Sequence, residues 1–245
     1  MKSSHGQKAS FDLLADSVYY GYSFDELLKR IRVYAVMPPK RVSVIARLKN
    51  SRHSRYVVDG ILFSVITPSN NSCVYADFRA RFNVPDNVEI MTDNGADAFA
   101  RQGMITTPLK PKKLLDLYQL VKPDIAVAVD YITENHVRTN PLLAESLYER
   151  HIELMREQAR IYFNGGYSYE LVMPIHSLMT YESVKRVFEE AYSLGFTSIG
   201  LPLMPLRDRD NYGMVMGIYK SVAEDLGVRW RRIHFLGQHI FFHET

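Results

Sequence analysis

The chain has 245 residues, of which 47% are hydrophobic and 23% are charged, and its net charge is +3. This ordinary globular composition excludes disordered, collagen-like and low-complexity chains. Its single cysteine, Cys73, excludes intramolecular disulfides and cysteine-cluster zinc sites. No apolar run approaches the roughly 20 residues of a membrane span. The N-terminus lacks the apolar core of a secretory signal, so we expect a cytoplasmic protein.

The first third of the chain predicts a helical segment followed by strands. An amphipathic pattern over residues 24–33 predicts a helix, and residues 42–46 and 61–66 have the apolar, β-branched character of strands that we expect to form a hairpin. Two consecutive prolines, Pro38 and Pro39, form the clearest break in the chain. We therefore predict an N-terminal helical segment over residues 1–38 and one barrel domain over residues 39–245.

From residue 88 onward, predicted strands and helices alternate along the chain. The strands are expected over residues 88–92, 124–130, 171–175, 198–204 and 232–236, and the helices over residues 112–120, 141–163, 180–194 and 211–226. Short apolar strands that alternate with helices are typical of a parallel sheet with crossover helices. The leading architecture is an α/β fold, a TIM-like (β/α)8 barrel that is incomplete at the last strand. An open doubly wound sheet is the alternative, although no glycine-rich phosphate loop follows any strand.

Polar residues follow several of these strands. Asp93 comes directly after the 88–92 strand, Asp130 ends the 124–130 strand, and His176 follows the 171–175 strand. Because the active sites of such barrels form at the carboxyl ends of the strands, these side chains are the leading site candidates. Two carboxylates and a histidine at one rim suit proton transfer, or recognition of the N–H edge of a heterocycle. The alternatives are that Asp93 caps a helix and that His176 is a core histidine.

Two further patterns could indicate ligand binding. His239 and His243 are four residues apart, but the apolar residues between them make a poor metal-binding helix, so we predict neither a metal site nor a cofactor. The first third of the chain is also rich in basic residues, at Arg41, Arg47, Lys49, Arg52, Arg55, Arg79 and Arg81. Such residues form either a face that holds a phosphate backbone or an ordinary solvated surface.

Five segments in series carry a resemblance to a known family. They are Ile90-Met-Thr-Asp-Asn-Gly95, residues 123–130, Val172-Met-Pro-Ile-His-Ser177, Ser198-Ile-Gly-Leu-Pro-Leu203 and residues 233–242. In order and spacing they resemble motifs of the tRNA-guanine transglycosylase family, the queuine and archaeosine tRNA-ribosyltransferases, and they are closest to its archaeal catalytic domain. The resemblance covers residues 88–242 and does not extend before residue 60.

The resemblance implies a TIM barrel that exchanges guanine in tRNA for a 7-deazaguanine base, and a related branch of the family acts on DNA. It implies that Asp93 is catalytic and assists proton transfer, that Asp130 reads the guanine-like edge, and that His176 stands at or beside a base-binding glutamine. The residues that it implies at the base are Asp130, His176, Gly200, Leu201, Asn94 and Phe99. A flipped base requires such carboxylate acceptors and a stacking surface.

The chain also departs from the family pattern. The family's stacking aromatic falls at Asp97, two positions before Phe99, and the 245 residues match neither the family's nucleophilic aspartate nor its zinc subdomain. An active enzyme would therefore use Asp93 as nucleophile or base, or require a partner subunit or a second copy. The expected partners are tRNA or DNA and a guanine-like base, with no membrane. The alternatives are a non-catalytic base- or nucleic-acid-binding relative, and an unrelated metal-dependent TIM barrel that uses Asp93, Asp130 and His176.

Overall fold

The computed structural model describes residue 32 and residues 34–36, 59–66, 75–202 and 209–236. The helix predicted over residues 24–33 and the strand predicted over residues 42–46 lie outside these ranges, except for residue 32, so both stay predictions. The first described strand pairs with the sheet although it lies before residue 38. The predicted domain boundary is therefore crossed by the sheet's hydrogen bonds.

The described residues form one parallel sheet. Its strands are β1 Tyr34–Val36, β2 Gly60–Ser64, β3 Glu89–Asp93, β4 Ile125–Val127, β5 Glu170–Pro174, β6 Ser198–Pro202 and β7 Arg232–Leu236. They are hydrogen-bonded in chain order, and every pair is parallel. The sheet curls into an open half-barrel, which confirms the predicted fold as a TIM-like barrel that is incomplete.

The position of β2 bears on one prediction. β2 pairs in parallel with β1 on one side and with β3 on the other. Both described neighbours of β2 are therefore parallel to it, whereas a hairpin would add an antiparallel partner. The other predicted hairpin strand, residues 42–46, lies outside the described residues, so the hairpin stays a prediction. A short apolar run is compatible with either pairing direction, because burial on both faces leaves no alternation to read.

Helices connect the strands. They are α1 Phe78–Phe82, α2 Ala96–Ala100, α3 Pro111–Val121, α4 Pro141–Gly165, α5 Tyr181–Ser193 and α6 Arg209–Leu226. The predicted start of α4 is confirmed, since the Asn140 side chain accepts a hydrogen bond from the backbone N–H of Leu143. Thr180 and Ser183 form a reciprocal cap at the start of α5. None of the described helices combines the length and the apolar character required to cross a membrane.

Along β2 to β5, alternate residues face two different cores. The outer core lies between sheet and helices and contains residues such as Ile90, Ile199 and Leu114, which are fully buried. The inner core lies within the curve of the sheet and is built from Met91, Ile125, Val127 and Val172, against which Tyr34, Leu62 and Leu236 pack. Burying each such aliphatic side chain stabilises the fold by about 1.5–3 kcal/mol. These two cores fix the direction in which each strand delivers its last residue.

The sheet has two open edges in the part of the chain that the structure describes. There, β1 and β7 are each paired on one side. The outer face of β7 exposes Ile233 and Phe235. At the amino ends of the strands, Arg232 Nη1 donates to the Tyr34 hydroxyl at 3.1 Å, so a side-chain contact joins β7 to β1 across the curve.

Candidate functional site

The carboxyl ends of β3, β4 and β5 bring together the residues predicted at the site. Asp93 is the last residue of β3, while Asp130 lies three residues beyond β4 and His176 two residues beyond β5. Nε2 of His176 lies 2.8 Å from Oδ2 of Asp130. Asn94 donates from Nδ2 to Oδ1 of Asp130 at 3.0 Å. We call Asp93, Asn94, Asp130, Glu134 and His176 the carboxyl-end cluster.

Glu134 is the member of this cluster that the sequence did not identify. It lies in the loop between β4 and α4, and its Oε2 is 2.6 Å from Nδ1 of His176. Its other oxygen accepts the backbone N–H of Ser177 at 2.8 Å. The residues directly after each predicted strand do not include Glu134, which lies four residues after Asp130. The available signal was an acidic residue in a ten-residue connection that follows a strand-terminal aspartate.

The backbone that carries Asp130 is held from the helix side. The Gln158 side chain, on α4, accepts from the backbone N–H of Val129 at 2.7 Å and donates to its carbonyl at 2.8 Å. The Thr106 hydroxyl donates to the backbone carbonyl of Asp130. Both contacts are long-range in sequence, so neither was predicted. Together they fix the main chain on either side of the carboxylate.

His176 is enclosed by charge. The side chains of His176, Glu134 and Asp130 are 2%, 2% and 8% exposed. Burial opposes a charge on the ring, but the Glu134 and Asp130 carboxylates outweigh it and raise the pKa of His176 to about 10. At neutral pH the cluster therefore contains an imidazolium between two carboxyl groups.

A second buried histidine lies against the first. The rings of His151, on α4, and His176 are 5.2 Å apart between centroids, nearly perpendicular. Burial and the neighbouring His176 charge lower the pKa of His151 to about 3. His151 Nε2 lies 2.9 Å from the Pro174 carbonyl oxygen, an acceptor, so the proton of the neutral ring is placed on Nε2. The two rings therefore carry different charges at neutral pH.

Asp93 has a different environment from Asp130. Its Oδ1 accepts the backbone N–H of Gly95 at 2.8 Å, and its side chain also hydrogen-bonds Ser64. Burial raises the pKa of Asp93, and the nearby Asp130 carboxylate raises it further. The hydrogen bond to Gly95 shapes the turn that precedes α2, but that helix begins without a side-chain cap, so Asp93 does not cap it. A carboxyl group with a raised pKa is also suited to proton transfer.

The turn between β3 and α2 requires glycine. Gly95 has φ +71°, and a Cβ built there would lie 2.2 Å from the backbone oxygen of Ile66. Asn94 stabilises the same turn by accepting the backbone N–H of Ala96 at 2.7 Å. The turn thereby delivers the Asp93 carboxyl and the Asn94 amide to one rim.

The other residues predicted at the base lie in the body of the fold. Leu201 and Phe99 are packed in the outer core, 3% and 6% exposed. Gly200 lies on β6, where its carbonyl accepts the backbone N–H of Ile175 at 2.7 Å. The Leu236 side chain covers the position that a side chain at residue 200 would occupy, and a Cβ atom there would lie 2.9 Å from it. Besides Asp130 and His176, Asn94 is the one residue predicted at the base that contacts a carboxylate of the carboxyl-end cluster. The roles predicted for Gly200, Leu201 and Phe99 stay predictions.

The described residues do not hold a metal-binding arrangement. Among them, no group of three or more histidine, cysteine, aspartate or glutamate side chains is placed to hold a metal ion. Both ring nitrogens of His176 already face carboxylates. The alternative of a metal enzyme built on Asp93, Asp130 and His176 therefore gains no support, while His239 and His243 lie outside the described residues.

The structure describes two residues of the predicted basic face. Arg79 pairs with Asp124 at 2.6 Å, and the Arg81 guanidinium lies over the ring of Tyr75. The basic residues between positions 41 and 55 lie outside the described residues. A phosphate-binding face in the first third of the chain stays a prediction.

The chain matches no protein-family model, and no curated protein is significantly similar to it. The resemblance of its strand-end motifs to the transglycosylases therefore stays a prediction. A function has to be inferred from the geometry of the carboxyl-end cluster itself.

Proposed function

We propose that this protein is transglycosylase-like and binds a guanine or 7-deazaguanine base of a nucleic acid, tRNA or DNA, at the carboxyl end of its half-barrel. One observation carries the proposal. Asp93 and Asp130 converge at one rim, and their environments differ: Asp130 is an acceptor held in a buried network, whereas the pKa of Asp93 is raised. Two carboxyl groups with different environments are suited to different roles.

Asp130 is suited to recognition. Its two oxygens are oriented by Asn94 and His176 and retain further lone pairs. A guanine edge presents adjacent N–H donors, and a fixed carboxylate accepts such donors without reorganising. Asp93 is suited to proton transfer, because a base that leaves or joins a sugar must gain or lose a proton on its ring. The proposal therefore covers base recognition and proton transfer.

Base binding tests the recognition role. Titration calorimetry with guanine and with a 7-deazaguanine is expected to show saturable binding by the unaltered protein. Asp130→Asn keeps the shape of the side chain and removes its charge, so affinity should fall about 10- to 100-fold, the worth of a hydrogen bond to a charged group. The matched control is Asp86→Asn, since Asp86 is exposed before β3, at the opposite end of the sheet. Equal affinity in both variants would contradict the role of Asp130.

Labelled base separates exchange from binding alone. The protein is incubated with radiolabelled guanine and either tRNA or DNA, and label in the polymer is counted. Incorporation that Asp93→Asn abolishes would support an exchanging enzyme. Binding without incorporation would instead support a base-binding protein that does no chemistry by itself.

A further inference from the structure

Each ring nitrogen of His176 faces a different carboxylate. Nδ1 lies 2.6 Å from Glu134 and Nε2 lies 2.8 Å from Asp130. A neutral imidazole carries one N–H, so its second nitrogen would oppose a carboxylate lone pair. Both carboxylates also accept elsewhere, Glu134 from the Ser177 N–H and Asp130 from Asn94. The geometry is satisfied when both carboxylates are ionised and the ring carries both protons.

This arrangement leaves His176 without a free donor. Its side chain is 2% exposed and both of its N–H groups point at carboxylates. A base at the rim would therefore meet Asp130, which the ring orients, rather than the ring itself. Glu134 lies on the other side of the ring from Asp130 and is its second anionic partner. Glu134 also accepts the backbone N–H of Ser177.

We propose that His176 and Glu134 are positioning residues that hold Asp130 as an oriented carboxylate and act on a bound base through it. The effect on base affinity rests on the proposed function. The charge state of the cluster does not, because it is a property of the unliganded protein. His176 is thereby assigned to Asp130 instead of to the base.

The titratable groups around the ring come from several packed elements. Asp130 follows β4, Glu134 lies in the next loop, and His151 comes from α4. From α6, Tyr219 is buried near Glu134, and burial raises the pKa of its phenol, so it stays neutral. Asp93 lies beyond Asp130 on β3. Among these side chains, His176 provides the cation for the two carboxylates that contact it.

Nuclear magnetic resonance of histidine-labelled protein reads this state directly. The chain has eight histidines, and His176→Gln identifies the signal of interest. In the unaltered protein both ring nitrogens of His176 should stay protonated from about pH 6 to about pH 9, beyond the ordinary histidine range. In Glu134→Gln one anion is lost, so the ring should lose a proton within that interval. The matched control, Glu157→Gln, changes an exposed residue of α4 and should leave the signal unchanged.

Base affinity provides the second measurement. The unaltered protein should bind guanine with the same affinity across this pH interval. Glu134→Gln should bind about tenfold more weakly at the upper end, because the discharged ring then donates a neutral rather than a charge-assisted hydrogen bond to Asp130. A pH-independent affinity in Glu134→Gln, equal to that of the unaltered protein, would overturn the positioning role.

The outcomes separate the two proposals. A His176 ring that is neutral at pH 7 in the unaltered protein would overturn the charge assignment without any variant or ligand. Absence of base binding by the unaltered protein would overturn the proposed function. In that case the resonance titration alone decides whether His176 stays doubly protonated between Asp130 and Glu134.

Discussion

The two ends of the half-barrel both contain ionic clusters, but their charge balance and exposure differ. At the carboxyl end, two carboxylates share one imidazolium, and all three side chains are at most 8% exposed. At the amino end, Glu89 and Glu170 share three guanidinium groups, from Arg32, Arg231 and Arg232. We call these five residues and Tyr34 the amino-end cluster. It borders a cleft of about 600 Å³, and its five charged side chains are 16–72% exposed.

The difference in burial decides what each cluster can do. Charges near water are screened, and losing one partner leaves the other hydrated. Charges in the interior interact strongly, and an unpaired member is costly. We therefore interpret the amino-end cluster as a partly solvated side-chain bridge between β1 and β7. The carboxyl-end cluster is a fixed, net negative arrangement of the kind that binding sites require.

Removing the cation from each cluster should give the largest contrast. His176→Ala leaves Asp130 and Glu134 buried without a counter-ion, and loss of one partner from such a pair costs about 3–5 kcal/mol. Arg232→Ala should cost about 1–2 kcal/mol, because Arg231, Arg32 and water remain beside the glutamates. Urea unfolding measures both. Equal losses would show that the burial contrast does not govern stability.

The pH dependence provides a control for the His176 result. Since the pKa of His176 is raised to about 10, its stabilisation is complete below the ordinary value of 6.5 and is lost as pH rises through about 10. The stability gap between the unaltered protein and His176→Ala should therefore narrow from pH 7 to pH 10. A gap that is constant with pH would indicate lost packing rather than lost charge.

Two glycines extend the comparison to the backbone. Gly95 at the carboxyl end and Gly195 at the amino end both have positive φ, +71° and +91°. At Gly195 a Cβ would make an ordinary 3.6 Å contact with Phe163, so Gly195→Ala should cost about 1–2 kcal/mol from the left-handed backbone. Gly95→Ala adds a backbone clash at 2.2 Å and should cost about 3 kcal/mol. Thermal unfolding measures both.

The functional readout of these variants is base affinity. Gly95→Ala should weaken guanine binding, since its turn carries Asp93 and Asn94, whereas Gly195→Ala should not. Normal binding by Gly95→Ala, in a protein that remains folded, would place the site away from this turn.

Local sequence signals predicted most of the fold. The strand at residues 232–236 and the start of α4 at Asn140 agree with the structure, because apolar runs and helix caps are determined by neighbouring residues. The parallel pairing of β2 was missed because pairing direction depends on distant strands. In the same way, the predicted strand ends indicated that Asp93, Asp130 and His176 lie at one rim, as they do in the structure. The place of Glu134 in the cluster depends on how its loop folds back toward the end of β5, and no local sequence pattern encodes that contact.

Salt should produce the smallest effect and the sharpest test of the contrast. Raising sodium chloride from about 0.05 M to about 1 M shortens the screening length to about 3 Å, which weakens interactions of partly exposed charges. The destabilisation caused by Arg232→Ala should then shrink by a few tenths of a kcal/mol. The destabilisation caused by His176→Ala should not change, because ions do not enter the space between His176 and its carboxylates. Each value is a difference from the unaltered protein in the same salt, so general effects of the salt cancel. An equal decrease in both would mean that solvent reaches His176, and the carboxyl-end cluster would then resemble the amino-end cluster in kind.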